Sequence, residues 1–479
     1  MTKNHTSFVM YSGLRTIGGV NVSISYGMDR VLFEFGVAYE PSNVVFDGSI
    51  EPRVEKWIRD LLDLGILPRI NGIYRRKDLG DCPLISAEES NQNTAVFITH
   101  LHLDHMALMG TIAPQVPVYL HQNAQVIERA LEATGKGVQT LERNYSDLIP
   151  NKPICVGEIE VLPLLCKDTG YFDFSFLITT PDGTFHWTGD LCLHGFQAEK
   201  TWEQMEMLRS RHLDVLLCDS TSFIDSGLQR VYYSIDVTKI KPEKQVPLGV
   251  LTEEQYKDAL YAMINKCKGL CVFNFYQREL DEAAEYINWA KLCDRLCVFE
   301  PDAAYLVYKF FNIKPYVYIP DSKRYISENS SSWFTELMSN AITVTLEEIR
   351  HNPAGYLLQN SYRHLLELFS FPAKDGLYIH EGGEPIGDFD PAFANMKRVL
   401  KRTNFRYATL EDSYFGHAYP GQVKYYVDQI DPKILIPCHS YNPERLQPNS
   451  GIQFLPELYQ VYKLIDHQLI PETNMKQHE

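Results

Sequence analysis

The feature that most constrains this chain is a short apolar strand-like run that ends in three histidines and an aspartate. The run at 96–98 reads Val-Phe-Ile, and the sequence Thr-His-Leu-His-Leu-Asp-His follows at 99–105. Side chains two positions apart at the end of a strand project to the same side, so two of the histidines can bind one cation. Imidazole with carboxylate suits zinc, iron or manganese. The sequence therefore predicts a metal site with four candidate ligands: His100, His102, Asp104 and His105.

Length and composition limit the class of protein. The chain has 479 residues, which is long for one ordinary core, so two or three lobes are expected. Its formal net charge of −16 argues against indiscriminate binding of nucleic acid but leaves room for a local basic groove. The first residues lack a secretory pattern, no apolar run approaches the length of a membrane span, and the ten cysteines lie mostly in apolar, strand-like surroundings. These features predict a cytoplasmic protein with no membrane segment.

Further candidates for the site stand at the ends of other predicted strands or beside predicted helices. A strand-turn-strand pattern over 159–190 ends in Thr-Gly-Asp, and the apolar strand at 213–218 is followed directly by an aspartate. Near the carboxyl end, a Gly-His-Ala sequence precedes a predicted helix from 421 to 430, and a buried strand at 433–440 contains a histidine. These positions are Asp190, Asp219, His417 and His439.

Between these segments the pattern alternates between strands and helices. Predicted helices cover 281–291 and 301–311, and predicted strands cover 296–299 and 377–380. Alternation of this kind is typical of a parallel sheet, which indicates an inserted α/β domain. The insert contains Asn-Phe-Tyr-Gln-Arg-Glu-Leu at 274–280. Its aromatic residues Phe275 and Tyr276 and its Arg278 could bind a single-stranded nucleic acid or could simply pack in the core.

With these motifs assembled, the chain resembles the β-CASP branch of the metallo-β-lactamase superfamily, and within it ribonuclease J and related RNA-processing nucleases. The resemblance rests on the histidine motif at 100–105, Thr-Gly-Asp at 188–190, the acid at 219, Gly-His-Ala at 416–418 and Pro-Cys-His at 437–439. It implies an α/β protein in which a metallo-β-lactamase αββα sandwich carries an inserted β-CASP α/β domain. The implied divisions are 1–224 and 406–479 for the sandwich and 225–405 for the insert.

The resemblance also implies a site that holds two divalent metal ions, zinc first and manganese as the alternative. Asp190 would bridge the two metals, and Glu34 would support the metal ligands without binding a metal itself. The implied metal ligands are His100, His102, Asp104, His105, Asp190 and His439. The implied catalytic residues are Asp104, Asp190, Asp219 and His417. The implied substrate-binding residues are Tyr276, Arg278 and Ser440.

The chain departs from the family pattern at two places. No histidine occurs in the window 165–170, where the family has a further metal ligand. Asp168 could replace it through oxygen, whereas Lys167 is protonated near neutral pH and could not. The first metal site is therefore expected to be either completed by Asp168 or weakened. In the second departure, Phe415 stands where a serine usually precedes Gly-His-Ala.

The function predicted from the resemblance is hydrolysis of phosphodiester bonds in single-stranded RNA, as exonuclease or endonuclease. The protein would act as a homodimer or within a larger complex. DNA is the alternative substrate, although a histidine at 439 resembles the RNA-directed members. Two other classes stay open: a degenerate scaffold or RNA-binding subunit, and a small-molecule hydrolase on the same fold. The inserted domain counts against the small-molecule hydrolase, because a small substrate needs no second lobe.

Overall fold

The computed structural model describes residues 4–39, 50–138, 143–166, 172–194, 198–223, 251–328, 331–387, 390–410 and 416–472. The predicted domain boundary between 224 and 225 lies outside these ranges, as do Lys167, Asp168 and Phe415, so the prediction for Asp168 stays open.

The first part of the chain, up to residue 223, is mainly strands. They are β1 (Ser7–Ser12), β2 (Asn21–Tyr26), β3 (Asp29–Phe33), β4 (Asn93–Phe97), β5 (Val118–Leu120), β6 (Ser146–Asp147), β7 (Ile154–Val156), β8 (Ile159–Leu165), β9 (Phe174–Thr180), β10 (Gly183–Trp187) and β11 (Val215–Asp219). The helices of this part are α1 (Trp57–Asp63), α2 (Arg76–Leu79), α3 (Leu103–Met106), α4 (Gln122–Ala133) and α5 (Ala198–Arg209).

Residues 251–410, called the middle lobe below, alternate between helices and strands. The helices are α6 (Glu253–Lys266), α7 (Leu280–Leu292), α8 (Pro301–Phe311), α9 (Lys323–Glu328), α10 (Ser332–Asn340), α11 (Leu346–His351) and α12 (Pro391–Thr403). The strands are β12 (Cys271–Asn274), β13 (Leu296–Phe299), β14 (Tyr316–Val317), β15 (Ile342–Thr343), β16 (Tyr356–Gln359), β17 (Leu377–His380) and β18 (Arg406–Ala408). The last part of the chain adds α13 (Pro420–Ile430), β19 (Ile434–Cys438), β20 (Ile452–Gln453), β21 (Tyr462–Ile465) and β22 (Gln468–Pro471).

Two mixed sheets are built jointly by the first and last parts of the chain. One has the order β22-β21-β1-β2-β3-β4-β5-β6 and the other β20-β19-β11-β10-β9-β8-β7. Their inner faces pack on each other, with ring centroids 5.4 Å apart for Phe33 and Phe176 and 6.3 Å apart for Phe8 and Phe185. The outer face of the second sheet packs against α5 and α13. These two sheets and their helices are called the sandwich below.

The middle lobe has one sheet, β15-β14-β13-β16-β12-β17-β18, in which every neighbouring pair is parallel. Successive residues of a strand face opposite sides, so Phe273 packs with α7 and α8 while Val272 packs with α12. Helices on both faces are the usual cover of a parallel sheet. The chain is therefore a mixed α/β protein, as the sequence predicted.

Arg278 fastens the middle lobe to the sandwich. Its guanidinium lies 2.8 Å from the carboxylate of Glu128 on α4 and donates to the backbone oxygen of Lys136 at 3.0 Å. Both side chains of the ion pair are almost fully buried. Close by, the Lys136 ammonium pairs with Asp302 of α8 at 2.9 Å, and α4 packs against α8. A buried charged pair of this kind holds the two lobes in one relative position.

Local backbone geometry sets where two early elements begin. Strand β2 begins at Asn21, because Gly18 and Gly19 have positive φ angles of 67° and 64° and pass close to the metal-motif segment. Helix α1 begins at Trp57, after a short 3-10 turn. The middle sheet continues to Ala408, three residues beyond the predicted end of the insert. Across the described ranges, no helix combines the length and apolar character that crossing a membrane would need.

Candidate metal centre

The candidate residues gather where strands of both mixed sheets end. Strand β4 leads into the loop that carries His100 and His102, and α3 carries Asp104 and His105. Strands β10, β11 and β19 lie side by side and parallel in the second sheet. Because their carboxyl ends share one edge, they bring three further candidates to the same place: Asp190, Asp219 and His439.

Three groups of side chains could each hold a cation, and Asp190 belongs to two of them. The third group is Asp190, Asp219 and His417, and the other two contain the histidine motif. His100, His102 and Asp190 form the first group, and Asp104, His105 and His439 form the second, with the ligand atoms of each group within 4.8 Å of one another. Asp190 Oδ2 lies 3.5 Å from His100 Nε2, whereas Asp190 Oδ1 lies 3.0 Å from His105 Nε2. The two oxygens of one carboxylate therefore face different groups.

The second group is closed by a residue from the last part of the chain. His439 Nε2 lies 3.0 Å from Asp104 Oδ2 and 3.7 Å from Asp190 Oδ1. Its φ of 55° is in the left-handed region, which non-glycine residues rarely adopt. The backbone N–H of His439 donates to the Gly13 carbonyl at 3.1 Å, which helps to hold this conformation. Backbone strain at such a position is typical of functional sites.

A threonine links a buried carboxylate to a histidine on each side of the centre. Thr99 donates to Glu34 at 2.6 Å, and its oxygen lies 2.9 Å from His100 Nδ1. Thr221 bridges Asp219 and His439 in the same way, with 2.6 Å to His439 Nδ1. Each hydroxyl has one proton to donate to the carboxylate, so it accepts from the imidazole N–H. The other nitrogen of each ring is then left to face the centre.

His417 reaches the centre from the segment before α13. Its Nδ1 lies 2.9 Å from Asp219 Oδ2, and its Nε2 lies 3.8 Å from Asp190 Oδ2. Burial opposes protonation of this imidazole, but the charges of Asp219 and Asp190 outweigh it and raise the pKa of His417 to about 10. The site thus places a protonated imidazole beside the two ligand groups.

The other histidines of the centre differ in charge in the metal-free protein. Burial opposes protonation of His105 and His102, but Asp190 outweighs it at His105 and the hydrogen bond to Glu279 outweighs it at His102, so the pKa of each imidazole is raised. Burial, reinforced by the neighbouring imidazoles, lowers the pKa of His100 well below its usual range, so this side chain is neutral. Burial also opposes ionisation of Asp104, yet His105 and the hydrogen bond from His439 outweigh it and lower the pKa of that carboxyl. A neutral imidazole and an ionised carboxylate are the forms that bind a metal.

The donor set fits divalent metal ions. His100 Nε2 is buried and has no hydrogen-bond partner among the described residues. A buried polar atom without a partner is costly, and a cation at the centre would satisfy it. Imidazole with carboxylate matches zinc or manganese better than calcium or magnesium. The groups can therefore hold metal ions, and His100, His102, Asp104, His105, Asp190 and His439 are the residues that would do so.

The three predicted substrate-binding residues end up in different surroundings. Tyr276 lies beside the centre, with its ring centroid 5.5 Å from that of His102. Arg278 lies at the wall of the cavity between the lobes, and its guanidinium is paired with the carboxylate of Glu128 at 2.8 Å. Ser440 is fully buried, and its hydroxyl accepts from the backbone of Asn442 at 3.2 Å. Phe275, the other aromatic candidate for stacking, is buried in the core of the middle lobe.

Sequence reasoning assigned no role to several residues that shape the site. Thr99 and Thr221 each follow a predicted strand, so their positions were readable, but their partners are distant in sequence. Glu279 of the middle lobe lies 2.5 Å from His102 Nε2, and no local pattern indicates that contact. Gly36 passes so close to the Asp104 backbone that a β-carbon would lie 1.9 Å from the Asp104 carbonyl oxygen. Only glycine fits there without moving α3.

Comparison with known proteins gives information on the fold of this chain and none on its activity. No family model matches the chain, and no curated protein does. A crystal structure of a protein of unknown function from Enterococcus faecalis V583 is similar over 96% of this chain and 100% of that chain, with 25% identity and a TM-score of 0.74. The metallo-beta-lactamase fold protein YhfI from Bacillus subtilis matches over 47% of this chain and 75% of its own, with 17% identity and a TM-score of 0.28, which is too low to support a conclusion. The chain thus shares its overall fold with a protein that has been crystallised.

Proposed function

We propose that this chain is a metal-dependent hydrolase of the metallo-β-lactamase superfamily, β-CASP branch, that cleaves phosphodiester bonds of single-stranded RNA. The observation that carries the proposal is the position of Asp190, whose two oxygens face two separate histidine–aspartate groups. A pair of metal sites that share one carboxylate is suited to hydrolysis. The all-parallel middle lobe supports the β-CASP assignment, because it stands in the sequence where that branch carries its insert.

The residues around the centre divide the chemistry between them. Bound metal ions would supply a nucleophilic hydroxide near neutral pH and would neutralise the charge of the phosphate. His417 would give the proton on Nε2 to the departing oxygen, while Asp219 holds Nδ1 and keeps the ring oriented. Asp190 fixes the geometry between the two groups. Each role follows from which atom of the side chain faces the centre.

A cavity beside the centre fits a polymeric substrate. It measures about 680 Å³ and lies between the sandwich and the middle lobe, from Leu103 of the metal motif to the carboxyl ends of β12 and β16. Loops at this edge of a parallel sheet are the usual ligand-binding place. Three aromatic and three cationic residues line the cavity: Phe275, Tyr276, Tyr362, Lys136, Arg278 and Arg363. Bases can stack on aromatic rings while cations meet the phosphates, which favours single-stranded RNA.

The proposal is tested with purified protein loaded with zinc or manganese. Labelled single-stranded RNA, the matching DNA and a simple lactone are offered in parallel, and cleavage and metal content are measured. We expect cleavage of RNA, and we expect Asp190→Asn to abolish it and to reduce metal binding. Asp81→Asn is the matched control, because that aspartate side chain is 93% exposed and belongs to none of the groups at the centre. Hydrolysis of the lactone alone, or metal-free protein that cannot be loaded, would contradict the proposal.

A further inference from the structure

The four histidines of the two groups with the histidine motif differ in which ring nitrogen has a hydrogen-bond partner within the protein. Three of them are held at Nδ1. His100 Nδ1 lies 2.9 Å from Thr99 Oγ1, and His439 Nδ1 lies 2.6 Å from Thr221 Oγ1. For His105 the nearest atoms to Nδ1 are Glu34 Oε1 at 3.4 Å and Thr99 Oγ1 at 3.5 Å. In all three, Nε2 is the nitrogen that faces the carboxylates of the centre.

His102 is reversed. Its Nε2 lies 2.5 Å from Oε1 of Glu279, so Nδ1 is the nitrogen left for a cation. A histidine that binds a metal through one nitrogen usually donates its other N–H to a carboxylate, a backbone carbonyl or water. Glu279 has the chemistry of that partner. It is not a member of the ligand group of His100, His102 and Asp190, which argues against direct binding of the cation.

The position of Glu279 is fixed by the contacts between the two lobes. The residue precedes α7, at the capping position, but its side chain makes no capping hydrogen bond to the helix. Its backbone N–H donates to the Tyr276 carbonyl at 2.9 Å, which closes the loop after β12. The preceding residue, Arg278, is anchored by Glu128 of the sandwich at 2.8 Å. The buried ion pair therefore aims the neighbouring carboxylate at His102.

We propose that Glu279 is a positioning residue of the first metal group, supplied by the middle lobe. It keeps the proton of His102 on Nε2 and turns Nδ1 toward the cation that His100 and Asp190 also face. The other three histidines take their partners from the sandwich, so the first group alone depends on docking of the two lobes. The inference rests on the proposed metal centre and adds that the middle lobe sets the affinity of one of its two sites.

The test is metal binding rather than activity. Zinc affinities of the wild type, Glu279→Ala and Glu279→Gln are measured by competition with a chromophoric chelator, together with the number of ions bound. We expect Glu279→Ala to weaken one site about 10–100-fold, the usual effect of removing such a partner, and to leave the other site unchanged. The Gln variant should bind more tightly than the Ala variant, since its amide oxygen still accepts the Nε2 proton. Glu285→Ala, on a turn of the same helix that faces Lys257, is the matched control and should behave as wild type.

A second measurement reads the histidine directly. In ¹⁵N-histidine-labelled protein loaded with zinc, long-range ¹H–¹⁵N spectra should show His102 protonated at Nε2, and the other three ligand histidines protonated at Nδ1. Unchanged affinities in Glu279→Ala, or a His102 protonated at Nδ1, would overturn the proposal. Complete loss of one ion in both Glu279 variants would also overturn it, because Glu279 would then be a direct ligand. A wild type that binds no metal would refute the metal centre itself, which is a distinguishable failure.

Discussion

His417 Nδ1 lies 2.9 Å from Oδ2 of Asp219, a residue 198 positions earlier in the chain. The carboxylate that holds it is itself fixed, because it also accepts from the backbone N–H groups of Leu191 at 2.9 Å and Thr221 at 2.8 Å. Hydrogen bonds of this kind favour the ionised form of an acid. The pair therefore presents an oriented imidazolium at the centre, next to but distinct from the two ligand groups that Asp190 connects.

The first prediction concerns the role of His417 in chemistry. His417→Ala should keep the metal content and RNA affinity of the wild type but lose cleavage by about 10²-fold or more, the usual size of an acid–base contribution. Metal analysis, RNA binding and single-turnover cleavage check the three parts. His351→Ala, at an exposed helix end, serves as the control. Loss of metal together with activity would instead make His417 a metal ligand.

The same pair predicts a pH dependence of stability in the metal-free protein. A histidine with a raised folded-state pKa stabilises the fold fully below its unfolded pKa of about 6.5 and loses that contribution as the pH rises through the folded value. For His417 the folded pKa is about 10. Asp219→Asn removes the counter-charge, so its cost in the free energy of unfolding should be larger near pH 6 than near pH 10. Urea titrations of the wild type and of Asp219→Asn measure the loss in the free energy of unfolding at each pH. An equal loss near pH 6 and near pH 10 would show that the pair of His417 and Asp219 is not its source.

Removing the buried ion pair of Arg278 and Glu128, which joins the two lobes, should destabilise the protein. Arg278→Met leaves the buried carboxylate of Glu128 without its counter-charge, and breaking a buried pair in this way typically costs about 3–5 kcal/mol. Replacing both residues by Met should recover much of that loss, because no buried charge remains. Denaturant unfolding of the single and double variants measures it. A double variant less stable than Arg278→Met would show that the charge of Glu128 is satisfied elsewhere.

Features that depend on neighbouring residues in the chain could be predicted from the sequence, whereas contacts between distant residues could not. The helix at Pro301–Phe311 and the strand at Leu296–Phe299 were predicted with the bounds the structure shows, because a proline start and an apolar run define them. Most of the motif residues likewise gather at one edge, since they follow the carboxyl ends of strands, whereas His417 comes from the segment before α13. Arg278 is different: its partner is 150 positions away, so a charge that looked available for phosphate is a buried clamp.

Glu279 and the two threonines were missed for the same physical reason. A side chain that orients a metal ligand is recognised by the atom it touches, and that contact forms only once the lobes and sheets are packed. The contact between Glu279 and His102 spans 177 positions. By contrast, a glycine such as Gly36 could be noticed in the sequence, but the close approach of the Asp104 backbone that requires it appears only in the fold.

The last prediction concerns the cavity between the lobes. Arg363 lines it, is exposed, and has no ion-pair partner within the described part of the chain. The other two cations of the lining, Lys136 and Arg278, are paired with Asp302 and Glu128. Arg363 is therefore the cation best placed to meet a phosphate. Arg363→Gln should weaken binding of single-stranded RNA about equally for different sequences and should reduce the slope of log affinity against log salt by about 1, since one phosphate contact is lost.

The measurement is a salt titration of RNA affinity, by fluorescence anisotropy, with metal-loaded protein carrying His417→Ala, which is expected to keep its metal and its RNA affinity while cleavage is slow. Arg398→Gln, an exposed arginine on α12 outside the cavity lining, is the matched control and should leave the slope unchanged. If Arg363→Gln and Arg398→Gln shift the slope equally, the effect reflects overall charge rather than a contact in the cavity. If neither shifts it, the RNA binds elsewhere, and the assignment of this cavity to the substrate fails while the metal centre stands.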